Sequence, residues 1–155
     1  EPVINGRDMG LMSEAGLPSI ADPGTLLVSA AHRKGIRVVP MAGPSSILLA
    51  LISSGLNGQR FSFHGYLPVK PAERVAALRD LERRSAEGYA QIFMETPYRN
   101  QKMLDSILSV CSRDTLLCIA SDITLPSESI QTKTISEWRK NTPSINGKPA
   151  VFIIQ

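Results

Sequence analysis

The chain has 155 residues, 43% hydrophobic, 20% charged and 5% aromatic, with 11 Gly and 11 Pro, a balance that excludes disorder, collagen-like repetition and a coiled coil. This length suffices for one core, or for two small lobes sharing one. Seventeen basic residues against fourteen acidic ones, net +3, permit a nucleic-acid partner without implying it.

Met9-Gly-Leu-Met12 is a short apolar run that stops in the turn-rich Ser13-Glu-Ala-Gly-Leu-Pro18, which predicts a short buried strand and a long loop. Asp22-Pro-Gly24 then offers an N-cap carboxylate and a proline for the first helical position. Leu27, Ala30 and Ala31 follow at helical spacing, and Gly35 marks the stop. Ile36-Arg-Val-Val-Pro-Met41 reads as a second strand. After Ala42-Gly-Pro-Ser-Ser46 comes Ile47-Leu-Leu-Ala-Leu-Ile52, apolar on every face and so expected to be buried on most sides. Strand, loop, helix, strand, loop, helix is the βαβ pattern with parallel strands, and both loops then leave the carboxyl edge of the sheet, where open α/β sheets bind ligands.

Gly55-Leu-Asn-Gly58 breaks the pattern and predicts a lobe boundary, with residues 1–58 in the first lobe and 59–155 in the second. Phe61 and Phe63 alternate as a half-buried strand. A helix is expected from about Pro71 to Ser85 with Val75, Leu78 and Leu81 inward, then a strand at Gln91-Ile-Phe-Met94. Thr96-Pro97 caps a helix whose inner stripe is Met103, Leu104, Ile107 and Leu108. Strands at Leu116 to Ala120, around Ile130 and at Ala150 to Ile154, with a short helix near Trp138, complete two α/β lobes. Two parallel strands are too few to cover the helices of the first lobe, which is therefore expected to be incomplete. The start at Glu1 instead of Met agrees with a chain cut inside a longer gene.

Cys111 and Cys118 sit in apolar surroundings with no C-x-x-C or His pair nearby, which argues against zinc and for a reducing cytoplasm. No apolar run approaches the roughly 20 residues needed to cross a bilayer, and no leader pattern opens the chain, so neither a membrane anchor nor a signal peptide is expected. Neither G-x-G-x-x-G nor a Walker loop occurs. His32 falls in the last turn of a helix, where a cation is favoured, and His64 lies in a strand-to-loop context that suits packing better than base chemistry. Asp22 is better suited to capping than to catalysis. Glu14 and Glu95 end strands beside turn-rich loops, where a carboxylate either caps backbone amides or accepts hydrogen bonds from a ligand. Arg99 is a ready partner for Glu95. Ser45 and Ser46 place hydroxyls and amides at a helix N-terminus.

Taken in order, Ser13-Glu-Ala-Gly-Leu-Pro18, Asp22-Pro-Gly24, Val38-Val-Pro-Met-Ala-Gly-Pro-Ser-Ser46, Ser54-Gly-Leu56, Phe61-Ser-Phe-His-Gly-Tyr-Leu-Pro68 and Glu95-Thr-Pro-Tyr-Arg99 resemble the tetrapyrrole methylase family over nearly the whole chain. The likeness is strongest to the branch that methylates a cytidine ribose 2′-oxygen of small-subunit ribosomal RNA. The resemblance implies two α/β domains with S-adenosylmethionine in the cleft between them, a homodimer, a ribosomal RNA or small-subunit partner, and no metal. It also implies that a strand and a Pro/Gly-rich loop forming one cleft wall precede Glu1. By motif position, Ser13, Glu14, Ala15, Leu17, Ser45 and Ser46 are expected to line the donor from the first lobe. Met94, Glu95, Ile123, Pro149 and Ala150 are expected to do so from the second. Glu95 or Glu14 is the nearest candidate to polarise an acceptor hydroxyl, and Lys70, Arg74, Arg83, Arg84 and Arg99 are candidate phosphate contacts or solvated helix charge. Glu14-Ala-Gly-Leu-Pro18 replaces the branch's usual Asp-Ala-Gly-Thr-Pro, and the helix-opening Glu95-Thr-Pro-Tyr-Arg-Asn100 also differs, which points to a sister subfamily. A tetrapyrrole or other small-molecule acceptor and a non-catalytic donor-binding module stand as the alternatives.

Overall fold

The computed structural model describes residues 3–14 and 16–155. Five strands, β1 (Phe61–Tyr66), β2 (Ala90–Glu95), β3 (Leu116–Ser121), β4 (Ser129–Thr134) and β5 (Ala150–Ile154), form one sheet in the order β1-β2-β5-β3-β4. β1 and β2 run parallel, and the remaining pairs are antiparallel. A parallel neighbour needs a crossover, here the helix α3 (Pro71–Ser85), whose Pro71 occupies a first-turn position where a missing N–H costs nothing.

Both faces of the sheet are covered, which is why its central strands read as continuous apolar runs and not as alternation. On one face Phe93, Leu117, Ile119 and Phe152 pack with Leu78 and Leu81 of α3, Met103, Leu104 and Ile107 of α4 (Asn100–Val110), and Trp138 of α5 (Ile135–Lys140). Phe93 and Phe152 stack with centroids 5.6 Å apart, and the Trp138 indole donates to the Leu117 carbonyl at 2.9 Å, so the largest ring brings a satisfied polar end into the core. The other face buries Ile92, Cys118, Ala120, Val151 and Ile153 against Ile47, Ala50 and Leu51 of α2 (Ser46–Ser54). Burial pushes the Cys111 thiol up to about 12 and raises Cys118 as well, with Glu82 adding to the effect at Cys111, so both thiols are inert core groups.

The elements expected beyond residue 60 form where the sequence places them. α5 is closed by a capping box, in which Thr134 Oγ1 accepts from the Glu137 amide at 3.3 Å while Glu137 accepts from the Thr134 amide at 2.8 Å. Those hydrogen bonds from Thr134 hold the Glu137 carboxyl below its usual range.

Earlier in the chain the structure differs from expectation. Two compact units divide at Ser45/Ser46, ahead of the expected boundary at Gly58, because α2 packs on the sheet of the second unit. α2 is also less enclosed than its composition predicts: Leu48 is 49% and Ile52 76% exposed, since a sheet covers one side of a helix. The first unit contains α1 (Thr25–Arg33) and, among its described residues, no strand. Met9–Met12 and Ile36–Met41 are not the expected strands, and Met12, Val39 and Met41 lie open to solvent. A strand is defined by its neighbour, and neither segment has one.

α1 itself forms, with a changed start. Gly24, at φ +146°, is the N-cap in place of Asp22, and the helix begins at Thr25, so Pro23 lies outside it. A Cβ at Gly24 would stand 2.6 Å from Ser19 Oγ, which only glycine avoids. The end is as expected: Gly35, at φ +65°, lets Ile36 donate to Ala31 and Gly35 to His32 in a Schellman closure.

Candidate functional site

In the second unit β1, β2 and β3 point the same way and β5 runs against them, so the ends of three strands and the start of a fourth share one edge. Register aligns them: Glu95 pairs with Ala150, and Ala150 with Ser121. Met94, Glu95, Ile123, Pro149 and Ala150 are therefore gathered at this edge although they come from three separate stretches of sequence. Alternation directs Glu95 to the same face as Phe93 and Met94 to the same face as Ile92.

Glu95 is the most constrained of these. Its side chain is fully buried and pairs with Arg99 at 2.6 Å, and the same Oε1 accepts from the Thr96 amide at 2.7 Å. Burial alone pushes the carboxyl pKa up, but the Arg99 and Thr96 hydrogen bonds together with the Arg99 charge outweigh it and hold the group below its ordinary value. A carboxylate so stabilised is a fixed anion that orients its surroundings and a poor proton acceptor. The pair forms because the 3-10 turn Pro97–Arg99 brings residue 99 back over residue 95. Glu95 Oε2, Arg99 Nε and Asn100 Oδ1 are buried and have no partner among the described residues.

Three further residues complete the edge. Asn100, at the start of α4, donates to the Lys148 carbonyl at 2.5 Å, and the Gly147 amide donates to the Pro97 carbonyl at 3.0 Å, fastening residues 147–148 beside the turn after β2. Lys148 Nζ lies 3.1 Å from the buried Asp122 carboxylate, whose amide donates to the Pro149 carbonyl at 3.0 Å. Pro149–Ala150 is thus held from both sides. Asp122 and Thr124 carry positive φ values of 52° and 72°, a left-handed geometry that non-glycine residues adopt at a cost. Asn100 was legible as part of the Glu95–Asn100 motif. Asp122 and Lys148 sit in no motif, and only the pairing of β3 with β5 reveals them.

The remaining candidates lie in the first unit, except Ser46 and His64 in the second. Ser13 Oγ donates to the Gly16 carbonyl at 3.1 Å, Glu14 is exposed, and Ala15 lies outside the described residues. Leu17 Cδ2 comes within 3.8 Å of where a Cβ would stand at Gly43, but the expected sheet edge that both loops were to leave does not form among the described residues. Ser45 is buried, and Ser46 opens α2. His32 lies in the last turn of α1. His64 Nε2 is 2.8 Å from Oε1 of the buried Gln91, a pair that ties β1 to β2 and agrees with a packing role. Among the described residues no group of three or more His, Cys, Asp or Glu side chains is placed to hold a metal ion.

Residues 2–138 match the family model of the tetrapyrrole (corrin/porphyrin) methylases, and the chain is a member of that family. Among its curated relatives, the ribosomal RNA small subunit methyltransferase I of Xylella fastidiosa is 37% identical over 134 residues, covering 86% of this chain and 48% of that protein. Its namesake in Escherichia coli O157:H7 is 34% identical over 153 residues, covering 97% of this chain and 52% of that protein. The chain spans about half the length of these relatives. Among solved structures, the methyltransferase CobJ superposes with a TM-score of 0.59 at 19% identity, over 90% of this chain and 61% of that one. A conserved hypothetical protein of Aeropyrum pernix K1 gives 0.64 at 15% identity, over 90% and 55%. At these identities the structures speak for the fold alone.

Proposed function

We propose that this chain is the part of an S-adenosylmethionine-dependent methyltransferase that supplies one wall of the donor site, and that the acceptor is a ribose 2′-hydroxyl of small-subunit ribosomal RNA. The observation that carries this reading is the 37% identity, across most of the chain, to a protein named for methylating that RNA. The edge geometry supports it. Ala150 and Ser121 are small and buried, so no long side chain from either crowds this edge. The buried acceptors Glu95 Oε2 and Asn100 Oδ1 have no partner among the described residues, a pattern that suits a polar site completed by a ligand's donors.

The donor supplies a methyl group on a sulfonium centre, and the protein's task is alignment and exclusion of water. In this reading Met94, Ile123 and Pro149–Ala150 shape the donor wall. Glu95, held by Arg99 and by the Thr96 amide, fixes the turn after β2 beside that wall. Glu14, with Ser13, Ala15, Leu17 and Ser45 of the first unit and Ser46 at the start of α2, contacts the donor as well. Glu14 is also the better candidate than Glu95 to polarise the acceptor hydroxyl, because it is exposed and Glu95 is locked in an ion pair. No helix among the described residues is long and apolar enough to cross a membrane. We assign the protein to the cytoplasm, where ribosomal RNA is made, and to the homodimer that its family resemblance implies.

The test is incubation of the full-length protein with methyl-labelled donor and an extract of cells lacking it, followed by separation of RNA, protein and small molecules. Label in small-subunit RNA supports the reading. Label in small molecules replaces it with a tetrapyrrole-like acceptor, and donor binding with no label anywhere replaces it with a binding module. Glu14→Ala is expected to weaken donor affinity by about tenfold in calorimetry, the worth of one hydrogen bond to a charged group. Unchanged affinity would return Glu14 to a purely structural loop role.

A further inference from the structure

Tyr66 closes β1, and Tyr98 sits in the turn that follows β2. Because β1 and β2 are parallel, both rings stand at the edge just described, and they are 51% and 69% exposed. Neither belongs to either core cluster. The Arg99 guanidinium lies 5.1 Å from the centroid of the Tyr98 ring and donates to the Tyr98 hydroxyl at 3.4 Å. Its ion pair with the buried Glu95 fixes the guanidinium in place, and its side chain keeps 27% of its surface exposed. Tyr98 and an anchored, planar cation are therefore presented together, with Tyr66 exposed at the same edge. Register sets Tyr66 against Met94, so the group adjoins the donor wall.

We propose that Tyr66, Tyr98 and Arg99 form a stacking platform for an unpaired base of the RNA strand that carries the acceptor ribose. This rests on the RNA-methylation reading above and adds the residues that hold the acceptor. Delivering one ribose oxygen in line with a methyl group requires the nucleotide to be drawn out of its stack. An aromatic face restores the lost stacking for any base, and an arginine plane does the same while carrying charge for a phosphate. Lys70, which caps α3 and pairs with Glu73 at 3.1 Å, and Arg74 in its first turn add positive charge where β1 ends, which suits a polyanion approaching from that side.

The probe is a short fluorescein-labelled oligocytidylate, with binding to the full-length protein read by anisotropy across a salt series. The variant Tyr66→Ala/Tyr98→Ala is expected to weaken binding about tenfold, with the slope of log affinity against log salt unchanged because no phosphate contact is removed. Tyr66→Phe/Tyr98→Phe is expected to keep wild-type binding. Donor affinity in calorimetry and the melting temperature should not change in either variant, since both rings lie outside the core. Wild-type oligonucleotide binding by the alanine variant would overturn the platform while leaving RNA methylation standing. A weaker complex with a shallower salt slope would also overturn it, in favour of a phosphate contact. If the wild-type protein neither binds the oligocytidylate nor labels RNA, the platform and the RNA-methylation reading fall together.

Discussion

Residues 1–45 and 46–155 differ in how their secondary structure is held. In the second unit each strand has a neighbour and each face of the sheet a cover, and every residue of β5 is buried. In the first, α1 buries none of its residues, and the apolar segments around it lie open. A helix satisfies its backbone internally, so α1 forms from its glycine caps and its own hydrogen bonds. A strand cannot do this, and the runs at Met9–Met12 and Ile36–Met41 have no strand beside them among the described residues. Similar punctuation by Gly, Pro and Ser thus accompanies a covered sheet in one unit and, among the described residues of the other, a single helix.

The widest gap between the units should appear in the core. Phe152→Ala removes one ring of the Phe93–Phe152 stack from a site with no exposure and is expected to cost ~3–5 kcal/mol in denaturant unfolding. A loss below ~1 kcal/mol would mean that the second unit tolerates a cavity and is less tightly packed than its sheet implies.

Acid should sharpen the contrast, because the buried carboxylate pair lies in the second unit. The folded pKa of Glu95 is below its unfolded value. Its stabilising contribution is therefore complete above the ordinary carboxylate pKa of about 4.3 and is lost as pH falls through the lower folded value. Glu95→Gln should melt below wild type at neutral pH, with the difference shrinking as pH drops past that point. A difference in melting temperature that stays constant into acid would show that Glu95 acts through packing and not through charge.

The smallest effect belongs to the first unit. Leu26 on α1 is 84% exposed, and Leu26→Ala is expected to change unfolding free energy by no more than about 0.5 kcal/mol. A cost as large as that of Phe152→Ala would erase the distinction between the units and show that α1 is covered in solution.

Much of the second unit was readable from sequence because its signals are local. Pro71 sets the start of α3. Met103, Leu104, Ile107 and Leu108 recur at helical spacing, and all four are buried on one face of α4. The site was readable in part. Glu95 and Arg99 stand four residues apart in one motif, and their pairing follows from the turn between them. Asp122 and Lys148 are far apart in sequence and become partners only through the antiparallel pairing of β3 with β5. The cap at Gly24 was misread because Asp22 offers the more familiar capping side chain, whereas the backbone at Gly24 takes a φ that only glycine adopts without strain.

Periodicity, caps and the ordered motifs determined the helices, the apolar strands of the second unit and the family, since each depends on residues near one another in the chain. Tertiary structure decided which apolar segments became strands, which face of α2 was covered, and that Glu95 is a locked anion at the same edge as Asp122 and Ala150. Those outcomes depend on partners tens of residues away, and a hydrogen-bonded neighbour or a buried counter-charge has no signature in local spacing.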